Sequence, residues 1–471
     1  MGANTLFSRP RFARLRRVDL GWVALLILFL LSLPLATPRV YASDSVKYFS
    51  YLPSLLFDGD LDFTDEYTHF MQRSPASISP EILKRDAVTG LPLNDAAVGT
   101  ALLWSPAYLL THGGVLLARA LGAPIAADGL SQPYLVAICY ASTLYAFAGL
   151  FLSYRLCRRF FSPFSSALAV AVIWLATPAF FYSHVSPPWS HSTSLFAVAL
   201  LLNVWYDTRG RRTLAQFFLV GLLGGLLALV REQDGLFLLI PAVEAAWAYV
   251  EILRQRAFGK VLPLLGRHAL LLLGAFVAFA PQLAVYRVLN GRFGPNPTVS
   301  GKFTWWSPHF FQVLGDPHYG LLVWSPAVVL ALVGLVRLWR RDRLLALALG
   351  LSFLAEVYIT GAYLTWMGPG SFGPRRFINC TALFALGLAA LISYAREKRM
   401  PAWVLSGLAA LLVAWNAGLI AHWVLYPSDR QVGLPWEHLP RRIFLEIPRQ
   451  GLDLVRRLLF EREQFYRNPG G

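Results

Sequence analysis

The sequence is short of charge. Only 14% of its 471 residues are Asp, Glu, Lys or Arg, against roughly 25% in a typical soluble domain. Hydrophobic residues make up 56%. With apolar runs of about 20 residues recurring along the chain, this excludes an ordinary soluble globule and points to a polytopic membrane protein. Negative charge is scarcest: 26 acidic residues stand against 42 basic ones, for a net charge of +16. In a soluble protein that excess would suggest nucleic acid. Here the Lys and Arg fall in short clusters between apolar runs, so topology accounts for them and no nucleic-acid partner is expected. Cysteine is rare: Cys139, Cys157 and Cys380 include no CxxC pair, which excludes a disulfide framework and a thiolate metal centre. Also missing are a GxGxxG or P-loop on a strand–helix unit, any internal repeat, and any low-complexity tract beyond the apolar runs.

What is present is a series of spans. "RPRFARLRR" (9–17) precedes the run "LGWVALLILFLLSLPLATP" (20–38). "VYA" before Ser43 loosely resembles a signal cleavage site, but the run exceeds a usual signal core, so an uncleaved first span is favoured. Further runs fall near 132–153, 163–183, 190–206, 213–230, 236–253, 266–288, 319–338, 344–365, 377–394 and 401–423. With eleven spans, the basic clusters at 154–159, 207–212, 253–260, 337–343 and 395–399 all join the N-terminus on the cytoplasmic side. The segment "GTALLWSPAYLLTHGGVLLARALG" (99–122) is apolar too, yet as a crossing it would invert every later cluster. It is therefore expected to lie in or re-enter the interface, interrupted by Pro106 and Gly113–Gly114. The expected fold class is all-α and polytopic, with about eleven transmembrane helices over 1–425 and a long first outer loop (39–131) holding interfacial helices. A tail at 426–471 includes the amphipathic "RRIFLEIPRQGLDLVRRLLF" (441–460).

Chemistry gathers in the outer segments. In "ASDSVKYFSYLPSLLFDGDLDFTDEY" (42–67), apolar residues at Tyr48, Tyr51, Leu52, Leu55 and Leu56 have helical spacing. Ser43 or Asp44 can cap that helix. The burst after it contains Asp58, Asp60, Asp62, Asp65 and Glu66. Its first three Asp match EF-hand ligand positions, but Phe63 replaces the required Gly and His69 the required Glu. A solvated loop and a divalent-metal site both stay open. "SHVSPPWSH" (183–191) brackets two prolines with His184 and His191, which can bind a polar substrate or serve as interfacial anchors and match no standard zinc spacing. "REQDG" (231–235) sets Arg231, Glu232 and Asp234 at a span end, paired with each other or with a ligand. "WMGPGSFGPRRFIN" (366–379) puts Arg375 and Arg376 at the mouth of a span. An outer Arg pair runs against the positive-inside trend, and an anionic lipid phosphate is its natural partner. Lys302, near Trp305 and Trp306, adds a cation.

These segments carry a resemblance. The Asp just after the first span (Asp44), the long first outer loop with "GTALLWSPAYLL", "YRLCRRFF" closing the second span, "YGLLVWSPAVVLALVGL" and "SFGPRRF" are similar to segments of the C-type (GT-C) membrane glycosyltransferases, of the protein O-mannosyltransferase and aminoarabinose-transferase kind. The resemblance covers about 15–425. It implies an inner-membrane enzyme that moves a sugar from a polyprenyl-phosphate donor to a lipid, glycan or protein acceptor on the extracytoplasmic face. Asp44 would be the base, with Tyr48, Asp62, Glu66, His184, His191 and Arg231 at the substrate and Lys302, Arg375 and Arg376 at the donor phosphate. Neither a metal ligand set nor a cofactor is expected, although a divalent metal at the acidic burst stays open. One departure is plain: where many relatives carry a second acidic residue after the third span, this chain has His184 and His191. A transporter or flippase, or a non-catalytic scaffold, is the alternative.

Overall fold

The computed structural model describes residues 19–74 and 78–461. The basic segment 9–17, on which the cytoplasmic N-terminus rests, lies outside the described residues. The described residues form no strand, only isolated bridges at Arg85–Pro92 and Phe303–Tyr363. The longer helices are α1 (Leu20–Ser32), α2 (Ser43–Pro53), α3 (Thr64–Arg73), α4 (Gly99–Ala120), α5 (Gln132–Cys157), α6 (Pro163–Leu175), α7 (Ser190–Thr208), α8 (Leu214–Val230), α9 (Leu239–Arg254), α10 (Val261–Asn290), α11 (Pro326–Leu338), α12 (Arg343–Ala362), α13 (Thr381–Glu397), α14 (Ala402–Leu425) and α15 (Ile447–Phe460).

By length and apolarity, seven helical segments among the described residues can cross a membrane, or eight if the pair Pro163–Leu175 and Pro178–Val185, bent by 71°, counts as one. Eleven were expected, not counting α4, which is one of these seven. The difference has a physical source: Leu20–Leu35, Leu214–Val230 and Pro326–Leu338 are shorter apolar helices, and α7 begins with the polar run Ser190–Ser194. The 71° bend replaces the straight span expected at 163–183. It is stable because Asn416 Nδ2 donates to the freed carbonyls of Leu175 (2.8 Å) and Thr177 (3.0 Å).

One end of the bundle is basic, and ion pairs stitch its clusters together. Asp207 receives Arg155 (3.1 Å) and Arg159, Asp342 receives Arg209 (2.6 Å), and Glu397 receives Arg341 (3.1 Å). Asp19 caps α1 through the Gly21 amide and also receives Arg158 at 3.0 Å. The clusters at 154–159, 207–212, 337–343 and 395–399 therefore share one end with the start of the first run.

The helix α4 does not reach that end. Tyr145, midway along α5, donates to the Leu103 carbonyl (2.8 Å), whereas His112 meets Tyr134 at the start of α5 (2.7 Å). Thus α4 starts halfway along α5, where Thr100 meets Thr193 near the start of α7 (3.0 Å) and Gly99 abuts the Leu229 carbonyl near the end of α8, and it runs away from the basic end, although its length and composition alone would suffice to cross. The expected interruption is absent. Pro106 lacks the amide that would bond the Leu102 carbonyl, and the Ser105 hydroxyl supplies that bond at 2.8 Å. The glycine pair at 113–114 has open space around it and continues the helix.

Small residues set the tightest helix contacts. A Cβ built on Gly334 of α11 would lie 1.8 Å from the Gly387 carbonyl oxygen of α13, and one on Gly387 2.1 Å from that of Ala331. Only glycine lets these backbones meet. The first loop forms a second apolar core from Val46, Phe49, Tyr51, Phe63, Tyr67, Trp104, Tyr108 and Tyr134, joined by Val285 and Leu289 of α10. It caps the end opposite the basic clusters.

Candidate active site

Between that cap and the bundle lies a cavity of about 800 Å³. The helix α2 presents Asp44, Lys47 and Tyr48 to it, at i, i+3 and i+4 on one face. Asp44 makes no capping bond, and neither does Ser43. Instead the Ser45 hydroxyl accepts the Ala42 amide (3.1 Å) and donates to the Ala42 carbonyl (2.7 Å). Asp44 is thereby left to pair with Arg375, Oδ2 to Nη2, at 3.0 Å. The Arg375 guanidinium lies over Trp189, 4.4 Å from the ring centre, and its Nη1 is buried with no partner. Arg376 lies over Tyr363 at 4.3 Å and makes no ion pair among the described residues. Tyr48 accepts the Ser190 hydroxyl at 2.9 Å.

Lys47 pairs with Asp95 at 2.6 Å. Burial opposes both charges, but the partner outweighs it, so the carboxyl is held below its ordinary range and the ammonium above. The cavity walls carry six cations, Lys47, Lys84, Arg231, Lys302, Arg375 and Arg376, against four carboxylates, Asp44, Glu81, Asp95 and Glu232. Two of those carboxylates are spent on Arg375 and Lys47, and Glu232 accepts the Tyr286 hydroxyl. Cationic donors therefore remain for a polar, anionic guest.

Beneath the floor, Asn379 Nδ2 bridges Asp234 (2.9 Å) and Glu356 (3.0 Å), Ser194 donates to Asp234 (2.5 Å), and Gln233 to Glu356 (2.7 Å). Arg231 Nη1 makes an ion pair with Asp234 at 3.9 Å but, buried, has no hydrogen-bond partner. The internal pairing expected for "REQDG" is present, and Arg231 also lines the cavity.

Of the residues singled out in the sequence, Asp44, Tyr48, His191, Arg231, Lys302, Arg375 and Arg376 line this cavity, and Asp62, Glu66 and His184 do not. Asp62 folds back on Thr64, accepting its amide at 3.1 Å and its hydroxyl. Asp60 takes the Asp62 amide at 2.9 Å. Asp60 and Asp62 are thus engaged by their own local turns, and among the described residues no three His, Cys, Asp or Glu side chains group to hold a metal. Glu66 is buried in the first-loop core with Oε2 unpaired, and burial pushes its carboxyl up to about 8. His184 lies within the bundle, bonded to Ser32 (3.0 Å) and Ser183 (2.9 Å). Lys47, Asp95, Glu356 and Tyr363 escaped the sequence reading. Only Lys47 carried a local signal, one helical turn from Asp44; the others meet the site through long-range packing.

No family model matches the chain, and no curated protein does. Among solved structures it is similar to the crystal structure of ArnT from Cupriavidus metallidurans bound to undecaprenyl phosphate, at 15% identity and TM-score 0.49, covering 90% of this chain and 73% of that one. It is likewise similar to ArnT from Cupriavidus metallidurans in the apo state, at 16% identity and TM-score 0.48, covering 90% and 74%.

Proposed function

We propose that the chain is a membrane glycosyltransferase that moves a sugar from a polyprenyl-phosphate donor to an acceptor hydroxyl at the cavity end. The observation that carries this reading is the Asp44–Arg375 pair at 3.0 Å in a cavity with surplus cations. A carboxylate open to a polar cavity can accept the acceptor's proton while the acceptor oxygen bonds to the anomeric carbon. The bond from that carbon to phosphate oxygen breaks, and its electron pair leaves on the phosphate. Arg375 can stabilise this charge through its positive field while Nη2 stays on Asp44, with Arg231, Arg376 and Lys302 completing the cationic wall. The arginines, rather than a metal, carry the phosphate in this scheme. With the basic clusters at the opposite end, the positive-inside rule supports a cavity on the extracytoplasmic face, and the inner membrane is part of this proposal.

One feature favours a transporter instead: the broken pair at 163–185, since broken helices mark transport sites. Its freed carbonyls, however, are satisfied by Asn416, and His184 there faces Ser32 rather than the cavity. The test is equilibrium binding of undecaprenyl phosphate to the purified full chain. Arg376→Ala removes a charged donor worth about 1.5–3 kcal/mol and is expected to weaken binding by at least about tenfold. Equal binding by the two proteins would remove the phosphate from this wall.

A further inference from the structure

The helix α15 plays no part in the cavity, yet its surface is divided in a way the bundle does not use. It packs against α14 and the turn Leu33–Leu35 after α1, and Ile447 on it is half-buried against the bundle core. An apolar strip on α15 is exposed among the described residues: Leu452 is 92% exposed, Val455 53% and Leu459 39%. These three stand at i, i+3 and i+7, one continuous strip. Arg449 and Arg456 border the strip, seven residues apart and both exposed. Arg456 has an exposed partner in Glu461 at 2.8 Å, and Arg449 makes no ion pair among the described residues. The span 441–460 holds five arginines, at 441, 442, 449, 456 and 457, against Glu446 and Asp453.

A helix that bridges the ends of two bundle helices lies across them, at the level where the apolar belt of the bundle stops. That belt is itself exposed on α1 at Leu30 and Leu31, directly before the turn that α15 packs on. An apolar strip continuous with a lipid-facing belt and edged by arginines has the form of an interfacial helix.

We propose that α15 binds the bilayer surface at the cavity end, with Leu452, Val455 and Leu459 in the acyl boundary and Arg449 and Arg456 on anionic lipid headgroups. Such arginines each contribute roughly fivefold to residence on an anionic surface. The three native cysteines are all buried, so Val455→Cys offers a selectively reactive thiol for an environment-sensitive fluorophore. The full chain is reconstituted in phosphatidylcholine vesicles with and without phosphatidylglycerol. The label at 455 is expected to be shielded from iodide, quenched by spin-labelled lipid, and shielded further when phosphatidylglycerol is present. Arg449→Glu is expected to cancel the phosphatidylglycerol effect, with an unchanged melting temperature showing that the buried side of α15 is intact; Arg449→Gln serves if the reversal fails to fold. Free access of iodide in both vesicles would overturn the proposal. So would shielding without lipid quenching, accompanied by 455–455 cross-links, which would mean that a second copy covers the strip.

Discussion

Replacing Asp44 by Asn separates catalysis from architecture. The Asp44 side chain is 44% exposed and that of Arg375 24%, so their pair is solvent-screened and worth about 0.2–1 kcal/mol to stability. Asn preserves the shape and can still accept from Arg375 Nη2. The folded chain should therefore survive with a melting point close to that of the parent. In the proposed role of general base, the carboxylate would contribute about 10²–10⁴ to the rate, or roughly 3–5 kcal/mol of barrier. That is several times the whole structural value of the pair. The assay is transfer of labelled sugar from polyprenyl phosphate to acceptor in proteoliposomes, under single-turnover conditions so that donor binding does not mask chemistry. The expected result is a rate lower by at least about a hundredfold with donor affinity little changed. Transfer within a few-fold of the parent, with the melting point unchanged, would show that Asp44 is not the base.

Other expectations follow from the same geometry. Glu66 keeps its proton to about pH 8 in the folded chain, while its unfolded carboxyl ionises near 4.5. The unfolded state then binds fewer protons across that window, so stability falls as pH rises from about 4.5 to 8. Glu66→Gln should flatten this slope in melting measurements; an unaltered slope would locate its origin elsewhere. Asp62→Asn should leave transfer unchanged, because Asp62 bonds Thr64 and not the cavity; a large loss of rate would extend the site to the acidic burst. Ser105→Ala leaves the Leu102 carbonyl without its donor and should lower stability by about 1 kcal/mol, read from denaturation in detergent.

The bundle was legible because burial in lipid demands long apolar runs, and those runs and their basic punctuation survive in one dimension. The clusters at 154–159, 207–212, 337–343 and 395–399 do lie at one end, joined by their own ion pairs. Local exceptions were harder to see. Pro106 reads as a break until the Ser105 hydroxyl is placed on the Leu102 carbonyl. Leu55 and Leu56 were expected to share one helical face with Tyr51 and Leu52, which are buried. A single wide π-turn at Ser54–Asp58 shifts the phase, and both are exposed. Asp44 stood out by its position after the first run, whereas Asp95 did not, because its partner Lys47 is 48 residues away. The acidic burst drew attention by density alone, and density says nothing about which oxygens the local turns consume.

The contact between Gly334 and Gly387 reaches further than its own neighbourhood. Arg375 and Arg376 open the segment that runs on into α13, and Gly387 meshes that helix with α11 as one cog meshes with another. Teeth fix register: α13 can tilt on this contact, but sliding along it would drive the Gly387 carbonyl into the next side chain of α11. The depth at which the two guanidinium groups stand is thus set by a hydrogen atom, the one a glycine has where every other residue has a carbon. A methyl at position 334 would meet the Gly387 oxygen at 1.8 Å, and the displacement it forces would be carried along the helix to the cavity wall.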